Sequence, residues 1–102
     1  MTPDLRAALL FSVGRALLGE VFSSLRAVIC FARSDESIYI VFYVDGQISE
    51  DDQESVEVAM TEVIADFPAN VDISHEIRRV DSPIRLSFHN GLTVYARKES
   101  QL

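Results

Sequence analysis

The segment Ile38–Val44, which reads IYIVFYV, is the strongest strand signal in this chain because β-branched and aromatic residues fill it. A similar run, Leu25–Arg33 (LRAVICFAR), precedes it across the polar turn Ser34–Ser37. Two such runs joined by a short turn predict a β-hairpin. Side chains alternate along a strand, and both sides of the second strand are apolar. We therefore expect helices to cover one side, and a partner, a second copy of the chain or the N-terminal segment to cover the other.

A first helix is predicted before this hairpin, with Thr2 as its N-cap and Gly19 placed to end it. Its apolar stripe recurs at helical spacing and consists of Leu5, Leu9, Val13, Ala16 and Leu17. Three more apolar side chains widen the stripe, namely Leu10, Phe11 and Leu18. We therefore expect this helix to be buried on more than one side. We attribute Gly14, in the middle of the helix, to close packing against a strand.

A second helix is predicted after the hairpin. Ser49 is its N-cap, the carboxylates of Glu50–Asp52 lie in its first turn, where they interact favourably with the helix dipole, and Pro68 ends it. The stripe predicted to be buried consists of Val56, Ala59, Met60, Val63 and Phe67.

Two more strands complete the predicted fold. Val71–Val80 alternates apolar and polar residues, and Leu92–Arg97 is the last strand; between them Ile84–Phe88 is a candidate edge segment. The predicted class is α+β, a two-layer sandwich in the order αββ-αββ. It has a mainly antiparallel four-stranded sheet with both helices on one face. With 102 residues, of which 48% are hydrophobic, residues 1–102 form a single domain with a packed core.

Charge is unevenly distributed along the chain. The segment Ser34–Ile77 contains 12 of the 16 carboxylates and no lysine or arginine. Such a surface attracts cationic partners and repels phosphate, so we expect no nucleic acid ligand. No apolar run reaches about 18 residues, so no membrane span is expected. The N-terminus carries no basic segment ahead of an apolar one, and we expect a cytoplasmic protein.

Catalytic and metal-binding chemistry finds little support in the sequence. Cys30 lies within an apolar strand, which predicts a buried, inert thiol. The two histidines, His75 and His89, are far apart in sequence and do not have metal-ligand spacing. We predict no cofactor, no metal and no enzymatic activity. A small enzyme built around His75 remains as an alternative, since this is the one plausible general base.

The acidic segment is better explained as a surface that binds a basic protein, because its charge is of one sign and it borders a strand with two tyrosines. The predicted partner-binding residues are Tyr39, Tyr43, Asp45, Glu50, Asp51, Asp52, Glu54 and Glu57. The competing interpretation is a self-associating adaptor, in which the two-sided apolar strand forms a homodimer.

Several segments resemble small acidic bacterial immunity proteins, which are encoded beside contact-dependent or other polymorphic toxins. These segments are VGRALLGEV (Val13–Val21), LRAV (Leu25–Val28), FYVDG (Phe42–Gly46), SEDD (Ser49–Asp52), TEVIADFP (Thr61–Pro68) and VYARKE (Val94–Glu99). The resemblance implies a cytoplasmic antitoxin that binds and blocks a cognate toxin C-terminal domain. Many such toxins are nucleases, whose basic clefts an acidic surface could occupy. The resemblance assigns no contact residue.

Overall fold

The computed structural model describes residues 1–99 and contains two helices and four strands. In chain order these elements are α1 (Pro3–Ala16), β1 (Leu25–Ser34), β2 (Ser37–Val44), α2 (Glu50–Ala65), β3 (Asp72–Arg79) and β4 (Leu92–Ala96). Both helices have the predicted N-caps, because Thr2 Oγ1 accepts a hydrogen bond from the Leu5 amide and Ser49 Oγ from the Asp52 amide, each 3.1 Å long. Gly19 adopts the predicted left-handed conformation, although α1 already ends at Ala16.

The strands form one mixed sheet in the order β3-β2-β1-β4. β1 pairs antiparallel with both β2 and β4, whereas β2 and β3 run parallel. The prediction of a mainly antiparallel sheet is therefore wrong. The physical reason lies in α2, which links β2 to β3 and is long enough to return the chain to the end of the sheet where β2 began.

The larger core lies on the helical side of the sheet. Buried residues of α1 and α2 share one cluster with alternate residues of the central hairpin, and the strand members of that cluster are Leu25, Val28, Cys30, Ile38, Ile40, Phe42 and Val44. Both helices therefore pack on the same side of the sheet. The predicted stripes of α1 and α2 are confirmed as its helical members, apart from Phe67, which is only partly buried at its margin.

The opposite side of the hairpin is covered by the segment that connects β3 to β4. Val80, Leu86 and Phe88 pack there against a second cluster, which consists of Ala27, Ile29, Val41 and Tyr43. Gly91 lets the chain return close to the sheet, since a Cβ atom at this position would lie 2.5 Å from Ile29 Cγ2. The second cover is thus a later part of the same chain, which the sequence analysis did not consider.

A buried arginine fastens this covering segment to the sheet. Arg26, on β1, is 3% exposed and donates to the carbonyl oxygens of Val80 and Ile84, at 2.8 Å each. Its guanidinium also forms two 2.8 Å bonds with the Glu99 carboxylate, and these bonds lower the pKa of Glu99 to about 2. Because a buried charge needs a full set of partners, Arg26 ties β1, the covering segment and the end of the chain after β4 together.

The predictions for the outer side of α1 are wrong. Leu10, Phe11 and Leu18 are exposed, so α1 is buried on one side only. A Cβ atom at Gly14 would meet nothing within 4 Å, so close packing against a strand does not explain this glycine.

Candidate functional site

The exposed face of α2 carries a one-signed set of charges. Glu50, Glu54 and Glu57 follow each other at helical spacing on the side opposite the buried stripe, and all three are exposed. The carboxylates of α2 are Glu50, Asp51, Asp52, Glu54, Glu57 and Glu62. Within residues 1–99, none of them forms an ion pair. Their negative field therefore extends into solvent without an internal counter-charge.

The first turn of α2 gives three of these carboxylates a structural role as well. Glu50, Asp51 and Asp52 lie where the helix dipole is positive, and Asp52 is half-buried beside the Ser49 cap. Glu54 and Glu57 lie beyond that turn and have no such local explanation. They mark the centre of the acidic face.

Asp45 belongs to a different group of charges. Its carboxylate accepts a hydrogen bond from Arg97 Nη2 and another from the Ser82 amide, each 3.1 Å long. Arg97 also lies 3.0 Å from Glu99, so Asp45 joins the ion pairs around the buried Arg26. The structure thus gives Asp45 a counter-charge, which the α2 carboxylates lack within residues 1–99.

Tyr39 and Tyr43 lie on the side of the sheet away from the helices. Tyr43 is 3% exposed and Tyr39 is half-buried, and both hydroxyls accept hydrogen bonds from Arg78, at 3.5 and 2.9 Å. The two rings border a cavity of about 350 Å³, whose other lining residues are Phe31, Ala32, Arg33, Arg78, Phe88 and His89. The residues predicted to form one docking surface therefore lie on two sides of the molecule, and one flat partner surface could not meet both.

The candidate catalytic groups are not assembled into a site. Cys30 is fully buried, as predicted, and burial raises the pKa of its thiol to about 12. His75 is exposed on the edge strand β3, where its ring meets Phe42 edge-on at 6.2 Å. Among residues 1–99, no three His, Cys, Asp or Glu side chains are grouped to hold a metal ion. In the same range, no helix has the length and apolar character needed to cross a membrane.

The outer face of α1 was missed by the sequence analysis as a candidate surface. Phe11 of α1 and Leu18, in the turn after it, are more exposed than the other large apolar side chains of the described residues. Their spacing does contain the signal, since they lie on the helix side opposite Leu5, Leu9 and Val13. The wide apolar stripe of α1 led to the prediction that the helix is buried on more than one side, although the sheet can cover only one side of it.

Comparison with protein families gives a match that spans nearly all of the described chain. Residues 6–99 match the model of a family described as MafI2 immunity protein. No curated protein matches the chain. The matched region includes the whole sheet, α2 and most of α1.

Proposed function

Because the chain belongs to the MafI2 immunity protein family, we propose that it neutralises a cognate toxin domain by placing the acidic face of α2 on a basic surface of that toxin. The observation that supports this proposal is the set of six α2 carboxylates without an ion-pair partner among residues 1–99. A surface of one sign accelerates encounter with an oppositely charged partner and opposes encounter with the wrong ones.

The chemistry of this face suits a nuclease as the target. A nuclease holds phosphate with lysine and arginine side chains, and carboxylates at helical spacing can take the place of successive phosphates. Inhibition is then steric and electrostatic, and the inhibitor supplies no catalytic group. Such an inhibitor acts where the nucleic acid is, so the proposal includes a cytoplasmic location.

We limit this proposal to carboxylates of α2, because these have no ion-pair partner within residues 1–99. Glu54 and Glu57 form its centre, with the first-turn carboxylates of α2 beside them. Asp45, Tyr39 and Tyr43 lie apart from this face and are not included. The self-associating adaptor loses the observation that favoured it, because the second side of β2 is covered by the same chain.

The test removes charge from the centre of the face without changing side-chain size. In Glu50→Gln/Glu54→Gln/Glu57→Gln, we expect the association rate constant for the purified toxin domain encoded beside this gene to fall about tenfold at low salt. The dependence of that rate on ionic strength should also become weaker, because fewer charges act at long range. Stopped-flow mixing over a range of salt concentrations measures both.

A matched control separates this face from the net charge of −7. Asp35→Asn/Glu36→Gln/Asp72→Asn removes the same charge from exposed residues at the β1–β2 turn and the start of β3. We expect it to change the association rate far less. Equal slowing by both variants would show that the charge of the whole molecule, and not α2, guides the encounter.

A further inference from the structure

The outer side of α1 and of the turn after it carries exposed apolar side chains, and the Arg15 guanidinium lies over the Phe11 ring, 5.4 Å from its centroid. Leu10, Phe11 and Leu18 are 40%, 69% and 76% exposed. Ala7 and Gly14 lie on the same face by helical spacing, and the charged Arg15 borders this group beside Phe11. Single exposed apolar residues are ordinary, but a contiguous group on one helix face is typical of a binding surface.

Gly14 provides a second observation on this face. Glycine within a helix costs about 1 kcal/mol relative to alanine, and no neighbouring atom of this chain would obstruct a Cβ at this position. Packing inside the molecule therefore does not require glycine here. A bare stretch of backbone between apolar side chains does allow another molecule to approach closely.

The two helices that carry this apolar face and the acidic face of α2 belong to one layer and are in contact at the C-terminal end of α2. The two helices lie on the same side of the sheet, and Asp66 at the end of α2 accepts hydrogen bonds of 2.7 Å from Ser12 and Arg15 of α1. A cavity of about 260 Å³ lies between the helices and is bordered by Phe11 and Phe67. Since the buried stripes of both helices point to the sheet, their exposed faces both point away from it.

We propose that the outer face of α1 is the apolar centre of the toxin-binding surface. This inference rests on the proposed function. The occupant is a toxin domain with an apolar recess bordered by lysine and arginine, because interfaces combine an uncharged centre with a charged rim. The recess takes Phe11 and Leu18, the toxin backbone approaches Gly14, and the α2 carboxylates meet the basic border.

The charges favour this occupant over a second copy of the chain. Two copies that met through this side of the molecule would bring two sets of α2 carboxylates towards each other. Within residues 1–99 these carboxylates have no ion-pair partner to offset that repulsion. A basic partner turns the same carboxylates into attractive contacts.

Dissociation kinetics test the inference separately from the proposed function. Aromatic and aliphatic anchors at an interface centre commonly contribute enough binding energy that truncation weakens binding at least about 30-fold. In Phe11→Ala/Leu18→Ala we therefore expect the dissociation rate constant of the toxin complex to rise by at least about 30-fold. The association rate and its salt dependence should change by less than about twofold, because no charge is lost.

A matched control and the separate kinetic readouts identify which proposal fails. Ile84→Ala truncates a side chain that is 60% exposed in the segment covering the opposite side of the sheet, and it should leave dissociation unchanged. If the α1 variant dissociates like the unmodified protein while the α2 variant associates slowly, this inference is wrong and the proposed function stands. If the α1 variant dissociates faster while the α2 variant associates like the unmodified protein, the proposed role of the α2 carboxylates is wrong and the proposed role of α1 is supported.

Gly14→Ala provides a test that does not depend on loss of stability. We expect this variant to unfold at a higher temperature, because alanine favours the helix, and yet to dissociate from the toxin at least about tenfold faster. Higher stability with unchanged dissociation would contradict close approach at Gly14. Sedimentation of the unmodified protein alone should give a monomer; a dimer that Phe11→Ala/Leu18→Ala disrupts would identify a second copy as the occupant and overturn the proposal.

Discussion

The helices α1 and α2 are alike on their buried sides and opposite in character on their exposed sides. Each begins at a hydroxyl N-cap and packs one apolar stripe into the same core. Away from the sheet, α1 presents Leu10 and Phe11 together with two arginines, Arg6 and Arg15, whereas α2 presents six carboxylates together with Val58 and Ile64. The buried stripes and the first-turn carboxylates of α2 serve the fold, whereas Glu54, Glu57 and the exposed apolar side chains of α1 have no such local role. The difference between them is therefore best explained by binding.

The largest expected effect is a difference in unfolding free energy between variants on the buried and exposed sides of α1. Leu9 is fully buried and Phe11 is 69% exposed. Leu9→Ala should lower the free energy of unfolding by about 3 kcal/mol, because it leaves a cavity in the core. Phe11→Ala should change that free energy by about 1 kcal/mol or less, because it removes only an exposed contact with the Arg15 guanidinium. Urea unfolding measures both, and a large loss for Phe11→Ala would show that the outer face stabilises the fold.

The elements of the fold that could be predicted are those with local signals. The central hairpin follows from two β-branched and aromatic runs around Ser34–Ser37, and both helix starts follow from their hydroxyl caps. The parallel pairing of β3 with β2 has no such signal, because alternation shows which residues share a face but not which strand lies beside them. The same holds for Phe88 and its neighbours, whose cover of β2 depends on contacts far apart in sequence.

In the candidate site, too, only the features with a local sequence signal could be predicted. The absence of lysine and arginine along α2 indicated carboxylates without ion-pair partners, as found within residues 1–99. Asp45 could not be separated from them, since its partner Arg97 lies near the other end of the chain. Tyr39 and Tyr43 share one face of β2, but the helices pack on the other face. Which face of the sheet a helix covers depends on packing between residues that are far apart in sequence.

A smaller effect tests whether the two helices are equivalent as parts of the scaffold. Thr2→Ala and Ser49→Ala each remove the hydroxyl that accepts an amide hydrogen bond at a helix start. Each should lower the free energy of unfolding by about 1 kcal/mol, and neither should alter the rate of association with the toxin. Thermal unfolding and stopped-flow mixing measure these effects. If Ser49→Ala slowed association, the cap of α2 would belong to the binding face as well as to the scaffold.

The smallest effect concerns Asp66, which connects the C-terminal end of α2 to α1. The hydroxyl of Ser12 and the guanidinium of Arg15 both donate to its carboxylate, and in that order they lower the pKa of Asp66 below its ordinary value of about 3.9. Because the folded state has the lower pKa, this stabilisation is complete above about pH 5 and is lost as the pH falls through the folded pKa.

The difference in unfolding free energy between the unmodified protein and Asp66→Asn should therefore shrink as the pH is lowered from about 5 to 3, since the asparagine cannot titrate. Arg15→Gln should retain part of this pH dependence, because the hydrogen bond from Ser12 Oγ to the Asp66 carboxylate remains and also lowers the pKa of Asp66. Urea unfolding at several pH values measures this difference in unfolding free energy. If this difference in unfolding free energy stayed constant down to pH 3, the charge of Asp66 would not stabilise the contact between α1 and α2. Another contact between the helices would then be needed for the apolar and acidic faces to form one binding surface.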